Sequence, residues 1–326
     1  MILVVSIHRK KIKGHSYPYL VKSVRLPNGK IVTINKMLDK KEKVMSPEAL
    51  ERIYRNYFVE KEKELYKKFA ESNLKKSYIF ASGEIAKLEE IRVSYKHLIN
   101  RLSKNQLKDI FDRFTVNFTY NSNAIEGNSL TLKDVAIVMF ENGIVKSRDL
   151  REIYETRNSR KVVDSILHRK YKITHEDTIK MHKMLMRDID ERTGYKQLPN
   201  VLLSFDREIQ TTRPEDVKKE MGNLIKWYEK NSAKMHPLEL ATIFHGRFEK
   251  IHPFEDGNGR VGRFLINVIL VNNGYPPLIV RKTVRESYIS ALQAFDGGYQ
   301  DKLKRFMLEK FKDTYAKFFE VYVKYM

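Results

Sequence analysis

The most constraining feature of this sequence is a polar, glycine-rich loop between two strongly apolar stretches. The stretch from about Pro237 to Lys250 reads as a helix with Pro at its first turn. The run Arg263-Phe264-Leu265-Ile266-Asn267-Val268-Ile269-Leu270-Val271 is apolar on every side and long enough for a buried helix. Two such helices must lie at the centre of a fold. The loop His252-Pro253-Phe254-Glu255-Asp256-Gly257-Asn258-Gly259-Arg260-Val261-Gly262-Arg263 then has to end at the start of a core helix. The first turn of a helix has free N–H groups and the positive end of the dipole, so it attracts anions, phosphate above all.

The residue types in the loop suit that position. Gly257 and Gly259 carry no Cβ to block close approach and permit the left-handed backbone of an anion nest. Arg260 and Arg263 are three apart, project to one side of the helix start, and have the forked donors that fit phosphate oxygens. Asp256 is out of place among phosphate binders unless it holds Mg²⁺, which takes one or two carboxylates plus phosphate oxygens. His252 is the side chain of the loop able to accept a proton near neutral pH.

The rest of the chain is mainly helical. Ser46-Pro47-Glu48, Thr131, Ser147 and Thr174 read as helix starts, as do Pro214 and Pro237 at first-turn positions. Asn142-Gly143, Gly274 and Gly297-Gly298 read as stops. Helical periodicity from Ser46 is expected to continue with few breaks to about Leu107. A terminal helix is expected from about Tyr299 to the end. Four segments are strand-like. Tyr17–Leu26 and Ile31–Ile34, joined by Pro27-Asn28-Gly29-Lys30, form one hairpin pattern; Val201–Ser204 and Glu208–Thr211 form another, a candidate clamp over a site.

The expected fold is therefore mainly α, a helical bundle with a β-hairpin flap and a small N-terminal β appendage. Its expected divisions are a basic β-rich extension over residues 1–45, a helical region over 46–165, a catalytic core over 166–312 and a helical tail over 313–326. The net charge is +21. Between Met1 and Met45 there are eleven Lys and Arg against Asp39 and Glu42, a local net of +9. Such a field attracts polyanions. Nucleic acid is one partner class for the extension; a solubilising hairpin packed on the main body is the simpler account. The chain has no cysteine, which removes disulfides and thiolate metal sites. The apolar start, Met1 to Ile7, is too short for a signal peptide, and no later run approaches membrane-span length. A cytoplasmic protein without membrane contact is expected.

The loop resembles the signature of the Fic family, His-Pro-Phe-x-Asp/Glu-Gly-Asn-Gly-Arg-x-x-Arg, and matches it at every defined position. Ala241–His245 before it, and Asn273–Ile279 and Arg285–Tyr288 after it, are also similar to the family. The likeness extends over roughly Lys87 to Met307 and leaves out the basic extension. It implies a protein adenylyltransferase that moves AMP from ATP onto a Ser, Thr or Tyr hydroxyl of a target protein, with Mg²⁺ as cofactor and Mn²⁺ able to substitute. His252 would be the general base and Asp256 the metal ligand. Gly257, Asn258 and Gly259 would form the anion hole, Arg260 would meet the β-phosphate and Arg263 the γ-phosphate. Asn267 and Tyr288 would line the nucleoside side. Val201, Leu202, Leu203, Ile209, Gln210 and Thr211 would form the flap that docks the target by strand addition. Gly259, where a related kinase-like subfamily has Lys, favours AMP transfer.

Ser122-Asn123-Ala124-Ile125-Glu126-Gly127 is similar to the family's inhibitory motif, Ser/Thr-x-x-x-Glu-Gly/Asn, of the class with an N-terminal inhibitory helix. Ser122 and Glu126 share a helix face, Gly127 reads as the stop, and Glu126 would pair with Arg263 in place of the γ-phosphate. Two other readings accompany this one: AMP removal with Glu126 orienting water, and a nucleic-acid-binding protein whose Fic body is secondary. Relatives often dimerise; an apolar face formed by Phe311, Tyr315, Phe318, Phe319 and Tyr322 would serve a homodimer or the core.

Overall fold

The computed structural model describes residues 5–39, 41–141, 148–204 and 207–324. It opens with three strands, β1 (Val5–Ile12), β2 (His15–Arg25) and β3 (Ile31–Met37), in an antiparallel sheet of order β1-β2-β3. The registers run from Val5↔Lys22 to Ile12↔His15 and from Tyr19↔Met37 to Arg25↔Ile31. The second connection is the Pro27–Lys30 turn, where Gly29 takes φ 84° and Leu26 N–H bonds Lys30 C=O at 2.8 Å. Strand β1 is a finding beyond the sequence reading, which began the sheet at Tyr17. Its seven residues after Val5 are exposed, so they carry none of the inward–outward alternation by which a strand is recognised.

Two helices follow, α1 (Pro47–Ile53) and α2 (Arg55–Asn73), then α3 (Ser82–Arg101) and α4 (Lys104–Ile125). Ser46 caps α1 through the Ala49 N–H, with Pro47 at the first position, as expected. The helical periodicity expected to run with few breaks to about Leu107 is interrupted by three breaks. The chain bends at Tyr54, leaves helix from Leu74 to Ala81, and restarts at Ser103, which makes a reciprocal capping box with Gln106. Apolar periodicity survives across those breaks because each helix still buries one face, α1 and much of α2 against the sheet and α4 in the main core, so spacing alone did not reveal them.

Beyond α4 lie α5 (Leu132–Ala136, capped by Thr131), α6 (Leu150–Leu167) and α7 (His175–Leu185, capped by Thr174). The helix α6 starts with Asp149 as its cap, later than expected; Ser147 and the Asn142-Gly143 stop lie outside the described residues. Strands β4 (Val201–Ser204) and β5 (Arg207–Gln210) form the second hairpin, in register from Val201↔Gln210 to Ser204↔Arg207. Then come α8 (Pro214–Asn231), α9 (Pro237–Ile251), α10 (Asn258–Asn272), α11 (Arg285–Asp296) and α12 (Gln300–Tyr315), with a short α13 (Val321–Lys324). The fold is mostly helical, as the sequence indicated.

α10 is the centre of the main core: every residue from Arg260 to Val271 is buried. Side chains such as Phe264, Leu265 and Ile269 each contribute about 1.5–3 kcal/mol by burial. Helices α9, α7, α6 and α4 surround it. The aromatic face expected on the terminal helix is not free. Phe311, Tyr315 and Phe319 are buried in the main core, and Phe318 and Tyr322 pack against it. A second, smaller core joins the inner face of the sheet (Leu20, Val24, Ile34) to Leu50, Phe58, Tyr66 and Val93. One buried carboxylate also spans that junction. Glu62 on α2, fully buried, receives Lys22 of β2 at 3.2 Å, and Lys96 and His97 of α3 at 2.6 and 2.9 Å.

Candidate active site: an anion cradle closed by a glutamate

The loop between α9 and α10 is fixed from several directions. His252 ends α9 in the left-handed region, at φ 51° and ψ 62°, which turns the chain away from the helix axis. Asn258 staples the turn: its Oδ1 accepts from Phe254 N–H at 2.8 Å while its Nδ2 donates to Phe254 C=O at 2.7 Å. The Phe254 ring stacks flat on His182 of α7, with centroids 3.9 Å apart, and His182 Nε2 lies 3.1 Å from the Asp256 carbonyl oxygen. Gly257, at φ 79°, precedes α10 without offering a side-chain cap. The first-turn amides of α10 therefore lack intrahelical acceptors and face outward as an anion cradle.

The sequence-picked residues converge here. Arg263, one turn into α10 and buried, donates from Nε to Ser122 Oγ at 3.0 Å and from Nη2 to the Ser122 carbonyl at 2.8 Å. Its Nη2 also meets Glu126 Oε1 at 2.7 Å. Burial works against the Arg263 charge, yet the Glu126 carboxylate outweighs it and holds the guanidinium more firmly charged than usual. Glu126 caps α4, and Gly127 follows at φ 105°. A Cβ added at Gly259 would fall 2.2 Å from Glu126 Oε1. The carboxylate thus sits against the first turn of α10, where an anion would bind.

Asp256 is partly exposed at the edge of the cradle. Its carboxylate pairs with Arg151 of α6, accepts from the Gly257 N–H, and lies 3.5 Å from Arg260 Nη2. Burial disfavours its charge, but Arg260, that amide and Arg151 outweigh burial, so its pKa is depressed. Among the described residues no group of three or more His, Cys, Asp or Glu could hold a metal alone. One ionised carboxylate beside a phosphate cradle fits a Mg²⁺ that arrives with a polyphosphate and keeps its oxygens and waters as remaining ligands.

His252 lies beside the cradle. Burial, helped by the Lys196 charge, pushes its pKa down to about 4, so the imidazole is neutral at neutral pH and free to take a proton. The β4–β5 hairpin is anchored to the loop at its base. Lys196 N–H bonds the Pro253 carbonyl at 2.9 Å, and Asn200 Nδ2 bonds the Phe254 carbonyl at 2.9 Å. Thr211 belongs to that anchor: its hydroxyl bonds Lys196 Nζ and Asn200 Oδ1, each at 2.6 Å. Val201 and Gln210, the ladder pair next to that anchor, are exposed. The side chains of Leu202, Leu203 and Ile209 lie outside what the structure describes.

Two candidates sit deeper than the cradle. Asn267 spends its amide on the Leu278 backbone, accepting its N–H at 2.7 Å and donating to its carbonyl at 3.1 Å. Tyr288 is buried with its hydroxyl 2.6 Å from His245 Nε2 and its ring 6.0 Å from the Arg263 guanidinium. Sequence reasoning missed Arg151 and Glu155. Arg260 Nη1 meets Glu155 at 3.1 Å, and Arg151 bridges Glu155 and Asp256, so α6 braces the cradle. Their only signal was an i,i+4 pair, which on most helices is a solvated face.

The central helix of the bundle thus presents a glycine-lined anion cradle with a neutral histidine and an ionised aspartate beside it. Residues 172–270 match the Fic/DOC family model, and the chain carries a Fic/DOC-family domain there. It is 32% identical over 185 residues to a protein adenylyltransferase Fic of Nematostella vectensis, across 55% of this chain and 43% of that one. It is 30% identical over 203 residues to a protein adenylyltransferase Fic of Drosophila virilis, across 60% and 41%. The chain spans less than half the length of these curated relatives. Its fold is similar to that of a Fic-domain-containing signaling protein from Bacteroides thetaiotaomicron, with TM-score 0.66 at 23% identity, covering 73% of this chain and 95% of that one. A Fic family protein from Desulfovibrio desulfuricans gives TM-score 0.60 at 26% identity, covering 73% and 75%. Among the described residues no helix is long and apolar enough to cross a membrane.

Proposed function

We propose that this protein transfers AMP from ATP to a hydroxyl of a target protein, and that Glu126 holds the site inhibited. The observation that carries the reading is the Glu126–Arg263 contact at 2.7 Å, made in the space that Gly259 leaves open. A carboxylate in that seat excludes a terminal phosphate from the same guanidinium and the same helix turn. The names of the curated relatives support the nucleotidyl chemistry.

His252 would take the proton of the incoming hydroxyl, whose oxygen then attacks the α-phosphorus. The bond from that phosphorus to the pyrophosphate oxygen breaks, and pyrophosphate leaves carrying the electron pair. The cradle amides and Arg260 stabilise charge on the phosphate tail. Asp256 would hold Mg²⁺, which when bound neutralises phosphate charge and assists the leaving group. To receive it Asp256 must part from Arg151. The exposed Val201–Gln210 end of the hairpin is the proposed seat for an extended target segment.

The test is incorporation of α-labelled ATP into the protein itself or added lysate, with Mg²⁺ or Mn²⁺. Glu126→Gly should raise incorporation at least about tenfold, the scale of one charge-assisted hydrogen bond. No gain over wild type would end the inhibition claim; no incorporation by either would end the transfer claim. Because Glu126 lies against the cradle, AMP removal is the second reading. It requires Glu126-dependent loss of label from a pre-modified target.

A further inference from the structure

The N-terminal sheet contains a feature that the catalytic loop does not use. Val5, Leu20 and Val24 are buried, but every residue from Ser6 to Tyr17 is exposed. The outer part of β1–β2 is therefore a two-stranded ribbon that projects from the body. Such a ribbon gains little stability from a core. A tight turn holds it: Lys13 and Gly14 both take positive φ, 48° and 82°, the pattern of two-residue hairpin loops matched to strand twist.

Its chemistry is one-sided in sign but not in direction. Ser6 to Tyr17 includes Arg9, Lys10, Lys11 and Lys13, with His8 and His15, and no Asp or Glu. Residues paired across the ladder share a face. His8 with Tyr19 and Lys10 with Tyr17 lie on one face; Arg9 with Pro18 and Lys11 with Ser16 lie on the other. Lys13 is at the tip. Lys10 Nζ rests 5.1 Å from the centroid of the Tyr19 ring. Cations therefore point outward on both faces and at the end.

We infer that this ribbon is a binding arm for duplex DNA that enters the major groove. Two strands about 4.8 Å apart, with their side chains, fit a groove about 12 Å wide. Cations on both faces then meet the phosphates of both groove walls. A platform for a single strand would gather its aromatics and cations on one face. An acidic protein surface, too, would be met by one face. The arm is separate from the cradle, so the inference stands independently of AMP transfer.

The experiment is fluorescence anisotropy of a labelled mixed-sequence duplex of about two helical turns with the full chain across a salt series. Three proteins are compared: wild type, R9E/K10E/K11E/K13E, and a charge-matched control on exposed positions of α8, K218E/K219E/K226E/K230E. Four released phosphate contacts correspond to a slope of log affinity on log salt that is shallower by about 3–4 in the ribbon variant. The control should keep most of the wild-type slope. R9Q/K10Q/K11Q/K13Q gives the same comparison should the glutamates unfold the sheet. Equal slopes in wild type and ribbon variants overturn the inference, as does an equal loss in the control. Tighter wild-type binding to a single strand of the same length than to the duplex also overturns it.

Discussion

The two ends of this molecule encode structure in opposite ways. In the segment from His252 to Asn272 nearly every residue has a geometric duty. Asn258 staples a turn, Gly259 makes room for Glu126, and α10 is buried from Arg260 to Val271. In the sheet from Val5 to Met37 one face serves a small core, and the outer ribbon has no packing duty at all. The first region is specified by identity and position, the second mainly by alternation and charge. Substitutions should accordingly be punished by chemistry in one region and by attachment in the other.

The largest expected effect is at the loop. In a Glu126→Gly background, His252→Ala should lower AMP incorporation by about 10²- to 10⁴-fold, the range for a lost general base, with the melting temperature little changed. A fall below threefold would remove His252 from the chemistry. At the other end, Glu62→Gln should destabilise the protein by about 3–5 kcal/mol, because Lys22 is left buried without its charge partner. Proteolysis or hydrogen exchange should localise that loss to the sheet and α2, with AMP incorporation by surviving protein unaltered. The pH sign follows. Burial opposes the Glu62 charge, but His97, Lys96 and Lys22 outweigh it and depress its pKa well below the usual carboxylate range. Its stabilisation is thus full above the unfolded value of about 4.3 and is lost only as pH falls toward the depressed folded value. Acid unfolding of the sheet at pH 5 would contradict this.

Gly262→Ala should cost about 1–3 kcal/mol by overpacking, measured by denaturant midpoint, since its Cβ would fall 2.3 Å from Glu249 Oε1 and 2.8 Å from His245 Nδ1. The smallest effect is in a pH profile. With the His252 pKa held down to about 4, incorporation by Glu126→Gly should stay level from pH 7.5 to about 5.5 and not halve near 6.5. A midpoint near 6.5 would show that His252 is ordinarily solvated.

How much was legible beforehand follows the same division. The caps at Ser46, Thr131 and Thr174, the first-turn prolines 214 and 237, and the two hairpins came from local chemistry that tertiary context did not override. The loop was legible because base, acid, glycines and arginines lie within twelve residues, whereas Ser122 and Glu126 stood out through their likeness to the family's inhibitory motif, with helix spacing adding only that they share a face. What stayed hidden depends on distant neighbours. Strand β1 has no apolar alternation. The aromatics of the terminal helix look alike whether they face solvent or Phe114, which stacks with Phe118 and meets Phe318 and Phe319. Arg151 and Glu155 acquire meaning only when α6 is laid beside Asp256.

The reciprocal pair between the Asn258 amide and the Phe254 peptide has one more consequence. It closes a small ring inside the protein, so the turn keeps its shape whether or not a guest has arrived. The disorder that a flexible loop would surrender at each encounter has already been surrendered once, during folding. Capture at this loop should be quick, limited by the departure of Glu126 rather than by any rearrangement of the main chain.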